Sequence, residues 1–378
     1  MSHPEHLVHG LDSSRMPADW PALRPDETRA VLARYPDVAH DVELLWHSPR
    51  PLSAAALVEA GGARWFLKRH ALEVRNAATL GEEHRFMRHL QRHGYSVPMV
   101  LHNRDGGTAT VHEGWVYEVH TPLQGIDLYR ELVSWSPLCS LAHARSAGAA
   151  LARLHEAAQG YAAAQRDTHL LVTRDDLVRA ADPIHALRAQ FPQRPGLAQY
   201  LGRRNWERDF ERILLPPQQR IQARIAEAPR LWTHNDWHAS NLAWSSEGDK
   251  ATVRSAFDFG LASPTFALFD LATAIERNAV AWLELERGAA AVHADTAVAL
   301  LGGYAEVRPL SAADLDLVAG LLPVLHIDFA LSEVEYFHAV TGTPAHADLA
   351  YDSFLLGHAK WFDTAPARHL LDAIRNAK

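Results

Sequence analysis

The sequence predicts an α+β protein of two lobes, a small antiparallel five-stranded lobe followed by a larger, mainly helical one. Three observations carry this expectation. Gly61-Gly62 separates two strand-like runs, and a two-residue loop whose members both accept positive φ joins hairpin strands. The run "LGEEHRFMRHLQRHG", from Leu80, keeps apolar residues at helical spacing and stops at Gly94. After Pro122, strand-like alternation gives way to alanine-rich helical segments.

Taken in order, the first forty residues read as a polar extension with one short helix, Asp26 to Tyr35, ended by Pro36. "VELLWH" from Val42, "AALVEA" from Ala55 and "ARWFLKRH" from Ala63 read as three strands, and the Leu80 helix follows them. "TATVH" and "WVYEVH", joined by Glu113-Gly114, complete the five. The lobes are therefore expected at 1–120, including the extension 1–40, and at 121–378, with the changeover near His120 to Gly125. In the second lobe "LAHARSAGAALARLHEAA" from Leu141 is a helix. Pro192, Pro195 and Gly196 mark a loop, and another helix runs from Pro217 to Glu227. "RLWTH" and "VRSAFDF" read as short strands, and helices dominate from Phe269. The longest, "DLDLVAGLLPVLHIDFALSEVEYFHAV", is expected to bend at Pro323.

Apolar residues at 48% against 22% charged residues allow a sizeable core. The net charge of −8 speaks against a nucleic-acid partner. The single cysteine, Cys139, excludes an intramolecular disulfide and a cysteine-built zinc site. No signal-like start and no bilayer-length apolar run is present, so a cytoplasmic protein without a membrane partner is expected.

Four features could carry chemistry. Lys68, on the third strand, is either a solvent-facing lysine or a fixed ammonium for phosphate oxygens. Glu83, on the next helix, is either surface or a carboxylate that orients Lys68; it is preferred to Glu82 because it shares a face with Met87 and Leu90. The third is "THNDWHASNLAW" from Thr233. The fourth is "FDFGLASP" from Phe257, where an aspartate between two phenylalanines needs a partner, such as a magnesium ion, if it is buried.

Strand lysine, helix glutamate, His-x-Asp-x-x-x-x-Asn and Asp-Phe-Gly is the order of parts in kinase-type phosphoryl transfer. On these motifs the chain resembles the aminoglycoside phosphotransferase/choline kinase family of small-molecule kinases, which share the protein-kinase-like fold. "EEHRFMRHLQRHGYSVP", "GAALARLHEAA" and "SPTFALFDLA" resemble the family's first helix, the helix before the catalytic loop and the segment after the metal aspartate. The resemblance runs from Val42 to Ala274. It implies that Asp236 orients the acceptor hydroxyl or takes its proton, that Asn241 and Asp258 hold magnesium, and that Lys68, held by Glu83, contacts the phosphates of ATP, with GTP as the alternative. It implies a hinge at "YEVHTPLQG", with main-chain groups of Glu118, Val119 and His120 reading the adenine edge. Asp270 would brace the catalytic loop, and His234 and His238 would support it.

The chain departs from the family pattern in three places. Asn235 stands where the family has glycine, and asparagine suits a left-handed backbone better than most residues. The loop "HSPRPLS" between the first two strands has no glycine, leaving Ser48, Arg50 or Ser53 to approach phosphates. The gap from Asn241 to Asp258 is long, and "SSEGDKAT" reads as a hairpin turn that absorbs it. The glycine-free loop supports an alternative, a catalytically inert kinase fold used for binding. A metallohydrolase built on His234, Asp236 and His238 is a further alternative.

For the acceptor, Asp328, Ser332 and Glu335 share one helical face, and Trp361 follows in "YDSFLLGHAKWF". The bland reading is a solvated helix face. The functional one is an acidic, aromatic-edged wall for a small hydroxylated, cationic acceptor such as an amino alcohol or amino sugar.

Overall fold

The computed structural model describes residues 7–9, 15–132 and 134–377. The chain divides into two compact units, residues 1–92 with 96–124, and residues 93–95 with 125–378. Among the described residues, no helix is long and apolar enough to cross a membrane.

In the first unit, β1 (Leu7–His9) pairs with β2 (Arg15–Pro17), and α1 (Pro25–Leu32) follows. Five antiparallel strands form one sheet: β3 (Val42–His47), β4 (Ala54–Ala60), β5 (Ala63–Ala71), β6 (Thr110–His112) and β7 (Trp115–His120), in the order β3-β4-β5-β7-β6. Helix α2 (Ala77–Arg92) lies between β5 and β6 in sequence. Because side chains alternate along a strand, Leu67 and Val119 face one way and Lys68 and Glu118, cross-strand partners, face the other.

The segment from Leu23 to Val38 is more than a polar extension. Leu23, Val31, Leu32, Tyr35 and Val38 form one core with Ala56, Val58, Leu67, Tyr117 and Val119 of the sheet. Glu27 of α1 pins this layer: its carboxylate pairs with Arg69 at 2.6 Å and accepts the Tyr117 hydroxyl at 2.6 Å.

The second unit opens with α3 (Leu141–Ala157), α4 (Asp176–Arg179), α5 (Pro183–Gln190), α6 (Pro195–Leu201), α7 (Trp206–Asp209) and α8 (Leu215–Ala226). Pro195 starts α6 rather than marking a loop, since the first helical turn has no use for its missing N–H. Two short ladders follow: β8 (Leu231–Thr233) pairs with β11 (Ser263–Thr265), and β9 (Leu242–Trp244) pairs with β10 (Val253–Ala256). Next come α9 (Ala267–Ala279), α10 (Ala294–Ala305), α11 (Ala312–Leu321), α12 (Ile327–Glu335), α13 (Pro344–Leu349), α14 (His358–Trp361) and α15 (Ala365–Arg375). The long helix expected through Pro323 is instead two: α11 stops at Leu321 and α12 begins at Ile327, because proline cannot continue the hydrogen-bond ladder. Helices α3 and α10 cross closely, and a Cβ on Gly148 or Gly303 would overlap the main chain of Leu300 or Arg145.

Candidate active site

The two short ladders present two loops side by side. Register places Leu242 opposite Ala256, so the residues that flank them, Asn241 and Phe257, meet at the strand ends, and the Phe257 N–H donates to the Asn241 carbonyl at 3.0 Å. The residues between β9 and β10 close as a hairpin turn, with Ser245 N–H on the Thr252 carbonyl. This turn absorbs the long gap between Asn241 and Asp258.

The loop from His234 to His238 is held from several directions. Asp270, fully buried on α9, accepts the His234 N–H at 2.9 Å and the Asn235 N–H at 2.8 Å. His155 of α3 reaches the same carboxylate at 3.1 Å. His234 Nδ1 accepts the Asp236 N–H, so its Nε2 carries the proton and donates to the Phe257 carbonyl at 3.0 Å. Both ring nitrogens are engaged, and His234 cannot serve as the zinc ligand of a His-x-Asp-x-His site. Trp237 is fully buried and donates to the Ala147 carbonyl, a packing role.

Asn235 has φ = 61°, in the left-handed region. Glycine reaches this region without strain, and asparagine is among the few other residues that visit it. The side chain adds what glycine lacks. Its Oδ1 accepts the hydroxyls of Thr233 and Thr265 at 2.9 and 3.0 Å, and its Nδ2 donates to Ser263 Oγ at 3.2 Å. Asn235 thus ties β8 to β11 beneath the loop.

Asp236 is buried, with Arg277 Nη2 2.7 Å from its Oδ1 as a charge contact without an aligned N–H. Asn241 Nδ2 donates to its Oδ2 at 2.9 Å, and His238 Nε2 lies 3.5 Å away. Burial alone would push this carboxyl up; Arg277 and then His238 outweigh it and hold the group well below the usual carboxylate range. His238 is itself positioned by Ser240 Oγ at 2.9 Å.

Arg277 was not anticipated from sequence, although the spacing held the signal. It lies seven residues after Asp270, two turns on along one helical face. Its neighbour Asn278 donates to the Trp237 carbonyl at 2.7 Å and accepts the Ala239 N–H at 3.0 Å. One helix, α9, therefore braces the loop with Asp270 and Asn278 and charges it with Arg277. Arg277 also lies 3.9 Å over the Trp135 ring. Glu333 of α12 is buried nearby, and burial pushes its carboxyl up to about 8, with Arg277 opposing and Asp236 adding to the rise.

Asp258 differs from expectation in its surroundings. It is exposed, with φ = 57°; Phe259 is fully buried and Phe257 is only half-buried. The left-handed turn breaks the alternation that would have sandwiched the carboxylate between two rings. Asp258 thus presents a hard oxygen donor just past the strand end where Asn241 sits, and the Asn241 amide nitrogen is turned to Asp236.

In the first unit, Lys68 is half-buried on β5, and Glu83 is 3% exposed on the face of α2 that also buries Phe86, Met87 and Leu90. Ser48 Oγ accepts the Arg50 N–H, making the turn between β3 and β4. Glu118, Val119 and His120, expected to read the adenine edge, stand within β7 at its end. Their main chain is paired to Lys68, Leu67 and Phe66 of β5, and on the other edge the Val119 carbonyl accepts the Leu101 N–H at 2.8 Å. The Glu118 side chain is buried among His70, His84 and His120, at 2.9, 2.7 and 2.8 Å.

The acidic wall on α12 also needs correction. Asp328 is buried and accepts the Leu177 N–H at the start of α4. Ser332 Oγ accepts the Leu171 N–H at 2.6 Å, and Glu335 is buried in an ion pair with Arg194 at 2.7 Å. This face packs inward, because the segment from Leu171 to Arg194 covers it. Trp361 stacks edge-on to Trp282 and Phe362.

The chain is similar to known small-molecule kinases. The curated homoserine kinase of Phenylobacterium zucineum is 27% identical over 306 residues, 77% of this chain and 78% of that one. The microcompartment-associated aminopropanol kinase superposes with a TM-score of 0.57 at 17% identity, covering 92% of this chain and all of that one. An amicoumacin kinase in complex with AMP-PNP, Ca2+ and its substrate superposes with a TM-score of 0.52 at 13% identity, covering 86% and 96%. These likenesses show a kinase-like phosphotransferase fold. The model of the phosphotransferase enzyme family matches residues 51–310, more than half of the sequence, including the loops that carry Asp236 and Asp258, and the chain belongs to that family.

Proposed function

We propose that the protein transfers the γ-phosphoryl group of ATP to the hydroxyl of a small amino alcohol, with Asp236 as the residue that orients the hydroxyl. The observation that carries this reading is the state of Asp236: a buried carboxylate kept ionised by Arg277 and fixed by a loop that Asp270 clamps. Such a group is a weak base. It accepts the hydroxyl's hydrogen bond, aims the oxygen in line with the γ-phosphorus, and takes the proton only late, as the new P–O bond forms and the bond to ADP breaks.

Asn241 and Asp258 would hold magnesium, a hard ion served by oxygen donors such as Asp258, and the ion supplies neutralisation of phosphate charge. Lys68 supplies a further positive charge for the phosphates, and Glu83 orients it. GTP remains the alternative nucleotide. The amino-alcohol class is supported by two relatives whose names specify homoserine and aminopropanol as acceptors.

The test is ADP release with ATP and Mg2+ against a panel of amino alcohols, hydroxy amino acids and amino sugars, repeated with GTP. Saturable release that depends on one acceptor class is expected. Release that no acceptor stimulates would contradict the reading.

A further inference from the structure

Among the described residues, two groups of side chains have the composition and spacing of a metal site, and they differ in one decisive respect. Around Glu118, the three imidazoles meet the carboxylate as hydrogen bonds of 2.7 to 2.9 Å, so the group is satisfied by itself. Around Glu276 on α9 the histidines approach the carboxylate without an aligned hydrogen bond. Glu276, His326 and His358 are all buried, at 0%, 5% and 4% exposure. Both carboxylate oxygens of Glu276, Nε2 of His326 and both ring nitrogens of His358 lack a hydrogen-bond partner. Orphaned buried polar atoms each cost free energy, and three of them, Glu276 Oε1, His326 Nε2 and His358 Nε2, stand close enough to share one occupant.

The distances say what kind. His326 Nε2 and His358 Nε2 lie 3.1 and 3.5 Å from Glu276 Oε1. Ligands bonded to one zinc-like ion at tetrahedral angles stand about 3.4 Å apart. Acceptors around a single ammonium nitrogen would stand about 4.6 Å apart, given ordinary hydrogen-bond lengths. The observed spacing matches a metal ion and is too tight for an amine. Aromatic rings seal the group: Phe354 lies 4.5 Å from His326 and Trp282 4.6 Å from His358, centroid to centroid.

We propose that Glu276, His326 and His358 bind one divalent transition-metal ion of the zinc type, at a site distinct from the magnesium position at Asn241 and Asp258. Two imidazoles and one carboxylate select such an ion over magnesium, which prefers all-oxygen donors. The three ligands come from α9, the turn before α12, and α14, so the ion joins these helices next to Arg277, the partner of Asp236.

The test reads the metal directly, without nucleotide or acceptor, so its failure is separate from failure of the kinase reading. Untagged protein stripped with a chelator is titrated with Co2+. One equivalent should produce the visible bands of tetrahedral Co2+, and these should persist in excess Mg2+. Glu276→Gln and His358→Gln should abolish them, and His84→Gln, in the Glu118 group, should leave them unchanged. If Glu276→Gln does not fold, His358→Gln on the short α14 carries the same comparison. Absence of bands in folded wild-type protein, or bands lost in His84→Gln but kept in the other two, would overturn the proposal.

Discussion

Asp236 and Asp328 are both buried carboxylates in the helical unit, and they have opposite fates. Asp236 faces Arg277 and His238, and is held well below the ordinary carboxylate range. Among the described residues no guanidinium pairs with Asp328; burial pushes it up to about 8, with Asp176 and Asp175 adding to the rise and the Leu177 N–H and Arg194 opposing it. The first is a charge kept ready on a clamped loop, the second a neutral strut that caps α4. Burial of an acid says little by itself; the sign of what faces it decides whether it serves chemistry or architecture.

The strongest way to break this contrast is to remove the cation. Arg277→Leu leaves Asp236 buried without its guanidinium, and should destabilise the fold by about 3–5 kcal/mol. Its pH–activity profile should lose rate at a higher pH than wild type does, because Asp236 then protonates more readily. Chemical denaturation and a pH–rate profile would check both.

Next comes the clamp. Asp270→Asn offers one acceptor oxygen where two loop N–H groups need one each. The lost charge-assisted bond should cost about 1.5–3 kcal/mol. Activity should fall with it, since small displacements of a positioned group cost about 10²-fold. Steady-state kinetics on folded variant would show it.

A smaller effect separates the two roles of Asn235. Asn235→Gly keeps the left-handed backbone but loses the bonds to Thr233, Thr265 and Ser263, a cost of about 1–3 kcal/mol. Asn235→Ala should cost about 1–2 kcal/mol more, from the backbone strain alone. Equal stability of the two in urea melts would refute the strain argument.

A pH effect sharpens the other arm. In the unfolded chain Asp328 loses its proton near pH 4, whereas in the folded protein it keeps it to about pH 8. Stability therefore falls as pH rises between these values and is level above them. Asp328→Asn still offers Leu177 an acceptor but cannot ionise, so its melting temperature should decline less over that window.

Much of the site was legible because its parts are local. Asp236, Asn241, Asp258 and Asp270 stand at spacings that turns and short strands enforce, and Glu83 could be chosen over Glu82 from one helical face. Asn235 was readable as a backbone position. What sequence did not show depends on tertiary packing. The partnership of Arg277 with Asp236 needs α9 laid along the loop. The inward turn of Asp328 and Glu335 needs the segment from Leu171 to Arg194 laid over α12. The core role of Leu23 to Val38 and the histidine cluster around Glu118 appear only once the sheet is assembled.

The most direct test pairs the two aspartates. Asp236→Asn and Asp328→Asn are assayed side by side for acceptor-dependent ADP release with ATP and Mg2+, after circular dichroism shows both folded. The account predicts that Asp236→Asn loses about 10²–10⁴-fold in turnover, while Asp328→Asn stays within a few-fold of wild type. Undiminished acceptor-dependent turnover in Asp236→Asn would contradict it.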